Sequence, residues 1–177
     1  MTVSDQVTDI LLKLDGVADI EFVPTKDLFG IQDSTYSTAG QMPITVERSG
    51  SRMILTQNFI RRPWTQWDHA DAASYKLLLP EGRKVVVDAG NATFSGNIRA
   101  SRLSITAANL SAQALGIEVE DALEIKGAIA HFDMQVKRCR RIQLRLGIVT
   151  GRLIAPAGAE ITNTSGVSTL KVRLSAD

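Results

Sequence analysis

The stretch from Arg102 to Asn163, RLSITAANLSAQALGIEVEDALEIKGAIAHFDMQVKRCRRIQLRLGIVTGRLIAPAGAEITN, decides the fold. It repeats one short phrase, two apolar residues at alternate positions: Leu103/Ile105, Leu123/Ile125, Ile142/Leu144 and Ala159/Ile161. Val85/Val87 supplies a fifth pair upstream, and the second members are spaced by 18, 20, 19 and 17 residues. Ser104, Thr106, Glu124, Lys126, Gln143, Arg145, Glu160 and Thr162 stand between and beside the pairs, and Val86 alone departs from this pattern. Alternation of this kind marks a strand with one face buried.

Turn-forming residues separate the apolar pieces: Gly90-Asn91, Gly96-Asn97, Gly116, Gly127, Gly147, Gly151, Pro156, Gly158 and Ser165-Gly166. Short strands divided by Gly or Asn and recurring every 17–20 residues predict an all-β fold, a single-stranded β-solenoid or β-helix-like stack of short coils. Equivalent positions would lie above one another about 4.8 Å apart. An antiparallel sandwich, with strands every 8–12 residues or so, is the competing reading.

Residues 1–80 carry strand-like runs without the regular step: ADIEFV (18–23), PITVER (43–48), RMILTQ (52–57) and SYKLLLP (74–80). Gly50-Ser51 predicts a hairpin between the second and third. VTDILLKLDG fits a helix face through Val7, Ile10, Leu11 and Leu14 and a strand face through Ile10, Leu12 and Leu14; its β-rich surroundings favour the strand. The expected organisation is one domain, 1–177, with an irregular β part over 1–80, either a cap or first coils, and five coils over 81–177. A stack of strands leaves an unpaired edge at each end, and terminal units normally differ to cover it.

A chain of 177 residues with 44% hydrophobic and 22% charged content can bury a core of its own. No stretch approaches the roughly 20 apolar residues of a membrane-spanning helix, and the N-terminus lacks a basic region followed by an apolar run, which predicts a cytoplasmic protein with no transmembrane segment. Cys139 is the lone cysteine, and with only His69 and His131 available no metal or other cofactor is expected. The net charge of +1 hides an asymmetry: residues 1–75 hold 6 Lys/Arg and 10 Asp/Glu, residues 76–177 hold 14 and 9. Such a mixture does not call for a specific nucleic-acid partner.

DILLKLDGVADIEFVP, PITVERSGSRMILTQN, KLLLPEGRKVVVDAGNATFSG and the closing NTSGVSTLKVRL together resemble the toastrack family of adhesin-like β-repeat domains of bacteria and archaea, over nearly the whole chain. The most characteristic piece is Leu79-Pro80-Glu81-Gly82, then Val85 to Val87, then Asp88-Ala89-Gly90-Asn91. The resemblance implies a β-solenoid-like, non-enzymatic domain that senses or binds other molecules, often joined to membrane proteins or found in envelope-stress operons. It supplies no catalytic residues, and the want of an apolar span here departs from the family's membrane-attached members.

Arg61, Arg62, Trp64 and Trp67 fall in one predicted loop, and Trp with Arg is what interface anchors favour; the plainer reading packs the tryptophans onto the fold and solvates the arginines. Lys137, Arg138, Arg140 and Arg141, with Arg145 beyond, predict either an anion-binding patch or a solvated corner. Cys139 sits among these cations, which lower a thiol pKa, but no histidine is near in sequence, so a structural thiol is the better reading. His131 and Asp133 share a strand face without a nucleophile to accompany them, and Glu118 to Asp121 reads as a weak cation site or a solvated turn. Glu124 and Glu160, separated by Gln143 along the predicted ladder, do not form the carboxylate pair of a glycosidase.

No phosphate-cradling loop, zinc pattern or nucleophile elbow is present. The expected function is therefore a non-enzymatic binding or assembly module acting on a protein partner or on its own copies, possible homo-oligomers included. Two other readings stand beside it: a bactofilin-like polymer-forming protein and a polysaccharide-acting β-helix enzyme.

Overall fold

The structure, a computed structural model, describes residue 2 and residues 6–36, 44–58 and 72–175. Ten strands account for most of them: β1 (Asp9–Thr25), β2 (Gly30–Tyr36), β3 (Ile44–Ser49), β4 (Arg52–Gln57), β5 (Ala72–Pro80), β6 (Arg83–Val119), β7 (Ala122–Arg138), β8 (Arg141–Pro156), β9 (Glu160–Asn163) and β10 (Val167–Ser175). The described residues contain no helix, and VTDILLKLDG resolves as strand from Asp9 onward. All ten strands join one sheet, in the order β10-β8-β7-β6-β1-β4-β3, with β5 beside β1, β2 beside β5 and β9 beside β8.

The pairing is in register across distant sequence. Leu103 lies opposite Leu123, Leu123 opposite Ile142, and Ile142 opposite Ile161; Ile105, Ile125, Leu144 and Asn163 form the next row. All these pairs are parallel, and over β6, β7 and β8 apolar residues meet apolar residues in both rows. The fifth predicted pair is corrected by this register. Ile161 answers Ile142, not Leu144, and the steps become 20, 19 and 19. A slip of two residues keeps every side chain on its face, so alternation cannot detect it; the turn after Pro156 sets it.

The expected short strands are also corrected, because β6 runs for 37 residues without a break. Drawn straight it would span about 120 Å. Contacts between residues 18 apart within it, Asn109 Nδ2 to Asn91 Oδ1 at 2.6 Å, show that it folds back past itself. Parallel pairing survives a bend when the inner rung bends with it. Gly96 (φ 81°) and Gly151 (φ 100°) mark two such bends, and a Cβ on either would lie 2.3 or 2.1 Å from the carbonyl oxygen of Phe22 or Phe132 on the adjoining strand.

The first half meets the second through β1. Ile10, Leu12 and Leu14 lie opposite Val85, Val87 and Ala89 on one side and Met53, Leu55 and Gln57 on the other, all parallel. β5 also runs parallel to β1, whereas β2 runs antiparallel to β5 and β3 antiparallel to β4 across the Gly50-Ser51 turn. One apolar core runs from Val7 to Ala155, with Phe22 and Phe94 edge to face at 5.1 Å. Gln57, the one fully buried polar side chain among the described residues, gives its amide to the Asp15 and Val17 carbonyls, where the β1–β6 register shifts, and accepts from the Tyr75 hydroxyl.

Candidate functional site

Arg61, Arg62, Trp64 and Trp67 lie outside the described residues, in the connection between β4 and β5. The basic run is described in full. Lys137, Arg138, Arg140 and Arg141 gather at the β7–β8 turn, while Arg145 lies four residues along β8, roughly 13 Å from Arg141, in register with Lys126. Carboxylates intrude on the corner. Glu118 reaches Lys137 at 3.9 Å and Arg99 at 3.4 Å, Glu81 reaches Arg99 at 3.0 Å, and Asp121 meets both Arg102 and Arg141. Arg138, Arg140 and Arg145 make no ion pair with a described residue. The Arg102 hydrogen bond, helped by the charges of Arg102, Arg141 and Arg140, holds the Asp121 carboxyl below its ordinary range.

Cys139 is buried in this corner, its thiol donating to the Arg141 carbonyl at 3.0 Å. Burial pushes its pKa up, outweighing hydrogen bonds to the sulfur and the Arg141 charge, so the surrounding cations do not activate it. His131 and Asp133 do not pair. Each turns to the next strand, His131 Nδ1 to Thr150 Oγ1 at 2.8 Å and Asp133 Oδ1 to Arg152 Nη2 at 2.6 Å. Glu160 lies opposite Arg141, and Thr162 takes the row of Glu124 and Gln143, so Glu124 and Glu160 do not share the row predicted for them. Among the described residues no three His, Cys, Asp or Glu side chains gather as a metal site, and no helix is long and apolar enough to cross a membrane.

What the residue-by-residue reading missed is the character of β10. Val172 pairs with Leu153 and Leu174 with Ala155, both fully buried, so the inward positions of the core continue onto β10. There Val172 and Leu174 are 47% and 52% exposed, because among the described residues no strand pairs with the outer edge of β10. The signal was present as alternation at Leu170, Val172 and Leu174. The core's partly buried apolar residues fall in the strands at the two ends of the sheet and the approach to β9: Ile31, Ile44 and Val46 at one, Ala159, Ile161 and Leu170 at the other. A second exposed apolar row, Ile129, Ile148 and Val167, crosses β7, β8 and β10 on a flank.

No protein-family model matches the chain. No curated protein matches it in sequence. Among solved structures it is similar to the crystal structure of a putative cell adhesion protein from Clostridium sporogenes ATCC 15579, with a TM-score of 0.45 and 12% identity over 96% of this chain and 93% of that one.

Proposed function

We propose that this protein is a non-enzymatic β-solenoid module that binds protein surfaces, those of its own copies included, through the ends of its stack. The observation that carries the reading is the β9–β10 end: inward-facing apolar side chains half exposed beside a strand edge without a partner among the described residues. Such an edge is a template for another chain, and native proteins usually blunt it or use it. Registers of 19 and 20 residues, held over β6, β7 and β8, support the solenoid part of the proposal. Membership of the toastrack family and a cytoplasmic location belong to the same proposal and rest on the sequence segments quoted above. So do partner binding through Arg61, Arg62, Trp64 and Trp67 and anion binding at the β7–β8 corner.

Light scattering coupled to size exclusion, run from micromolar to submillimolar protein with negative-stain imaging of the same fractions, tests it. The expected result is a mass that grows with concentration and is reduced by Val172→Lys. A mass fixed at the monomer, with no rods in the images, removes self-association from the proposal.

A further inference from the structure

If the ends of the stack associate, their chemistry also fixes which end meets which. Strands β1 to β4 belong wholly to the first 75 residues and β6 to β10 to the remainder, and the sheet order sets β3 and β10 at opposite extremes. The charge asymmetry of the described residues is thereby laid along the sheet order. Among them, those up to residue 75 hold 4 cationic and 7 acidic side chains, a balance of −3; those from 76 to 175 hold 14 and 8, a balance of +6. Bodies with opposite charge at their two ends attract head to tail and repel when like ends approach.

Of the end strands, β10 and β2 repeat the pattern locally. β10 carries Lys171 and Arg173, neither with an ion-pair partner among the described residues, and no acid. β2 carries Asp33, 73% exposed and 3.4 Å from Lys76, and no cation, whereas β3 carries Glu47 beside Arg48 and β9 carries Glu160. Two β10 edges meeting about a two-fold axis would match their apolar residues best with Val172 at the centre and Leu170 opposite Leu174 of the second copy. That register also sets Lys171 opposite Arg173 on both sides of the axis, and like charges directly opposite destabilise a strand pair.

Strand direction favours the other arrangement. β10 runs with β8, β7, β6, β1 and β5, whereas β2 runs against β5, and β3 runs against β4 while β9 runs with β8. When one copy is set on the next with the same orientation, β10 meets β2 and β9 meets β3 antiparallel, the more stable mode of pairing. Apolar residues then close over apolar residues: Ile161 and Leu170 on one side, Ile31, Ile44 and Val46 on the other.

We propose that the occupant of the β9–β10 end is the β2–β3 end of a second copy of this chain. The contact is head to tail, and because it uses two different surfaces it does not close on itself but extends into a linear assembly. This rests on the reading that the ends associate at all, and the test separates the two.

One variant blocks the C-terminal end (Val172→Lys with Leu174→Lys), another the N-terminal end (Ile31→Lys with Val46→Lys), each checked for a cooperative thermal transition, and their masses are measured alone and mixed in equal amounts. Head-to-tail contact predicts monomers from each variant alone and a species of twice the monomer mass, and no larger, from the mixture. A dimer from either variant alone overturns the polarity while leaving association intact, as does a mixture that stays monomeric while the unaltered protein assembles. An unaltered protein that stays monomeric removes both readings. Should a blocking pair fail to fold, Lys171→Glu with Arg173→Glu, both exposed, takes its place: it is expected to raise the concentration of half-assembly roughly tenfold, and an unchanged or lowered value overturns the proposal.

Discussion

Arg152 Nη2 lies 2.6 Å from Asp133 Oδ1 across the β7–β8 rung, 19 residues away in sequence. Each partner thus stands one rung from the other, and the hydrogen bond holds the Asp133 carboxyl below its ordinary pKa, as the Arg102 bond does for Asp121. Both pairs are exposed to solvent, so their individual worth at neutral pH is small.

Their pH signature is nevertheless definite. A carboxyl whose folded pKa is below its unfolded value of 3.8 contributes stability above that value and loses it as pH falls through the folded one, because the unfolded chain then binds more protons. The resistance of the unaltered protein to urea unfolding is expected to fall as the pH is lowered from about 5 to about 2. The double variant Asp121→Asn, Asp133→Asn should show a shallower fall over that window; an equal slope shows that other carboxylates dominate acid unfolding.

Gly151 tests the register of the bends. Its φ is 100°, and a Cβ there would lie 2.1 Å from the Phe132 oxygen and 2.8 Å from the Phe132 nitrogen, backbone atoms that cannot step aside singly. Gly151→Ala is expected to cost ~2 kcal/mol or more. Gly158→Ala, with nothing within 4 Å of the new methyl, is expected to be within about 0.5 kcal/mol of neutral. Equal thermal midpoints for the two variants would contradict the close stacking at Gly151.

Gln57 tests the junction between the halves. Its amide satisfies the Asp15 and Val17 carbonyls and its oxygen accepts from Tyr75, all where β1 changes register against β6. Gln57→Leu nearly preserves volume and removes all three bonds, with an expected loss of about 2–4 kcal/mol, whereas Tyr75→Phe should cost about 1 kcal/mol. In the double variant the losses should fall short of additive, since both remove one shared bond. Full additivity in chemical denaturation would show that the bond contributes nothing.

These particulars mark how far the sequence could be read. The rows through Leu103, Leu123 and Ile142 were legible because alternation and spacing agree on them, and turn chemistry marked the β3–β4 hairpin. The row of Ile161 was misplaced by two residues, since a period of two is blind to a slip of two, and Glu160 moved with it. The place of β1 between β6 and β4 was hidden because its rungs are supplied by β4 and β5, separated by a long connection, so no constant step records them. Pairing of His131 with Thr150, and of Asp133 with Arg152, follows from a register of 19 that local spacing along one strand does not express.

Cys139 bears most directly on whether the protein does chemistry. A thiol amid Arg138, Arg140 and Arg141 invites comparison with activated cysteines, whose thiolates are stabilised by nearby cations and open to solvent. Here the sulfur is buried, it donates to the Arg141 carbonyl, and desolvation with the Asp121 charge raises its pKa over the opposing pull of Arg141. Alkylation by iodoacetamide at pH 8 is therefore expected to be at least about tenfold slower than for an unstructured cysteine peptide, with denaturant restoring the peptide rate. Cys139→Ser should leave the oligomeric mass unchanged and lower the thermal midpoint modestly, as a buried packing residue would. A rate above that of the peptide would instead place an activated nucleophile at the basic corner, and the proposal of a non-enzymatic module would then have to be abandoned in favour of chemistry at that turn.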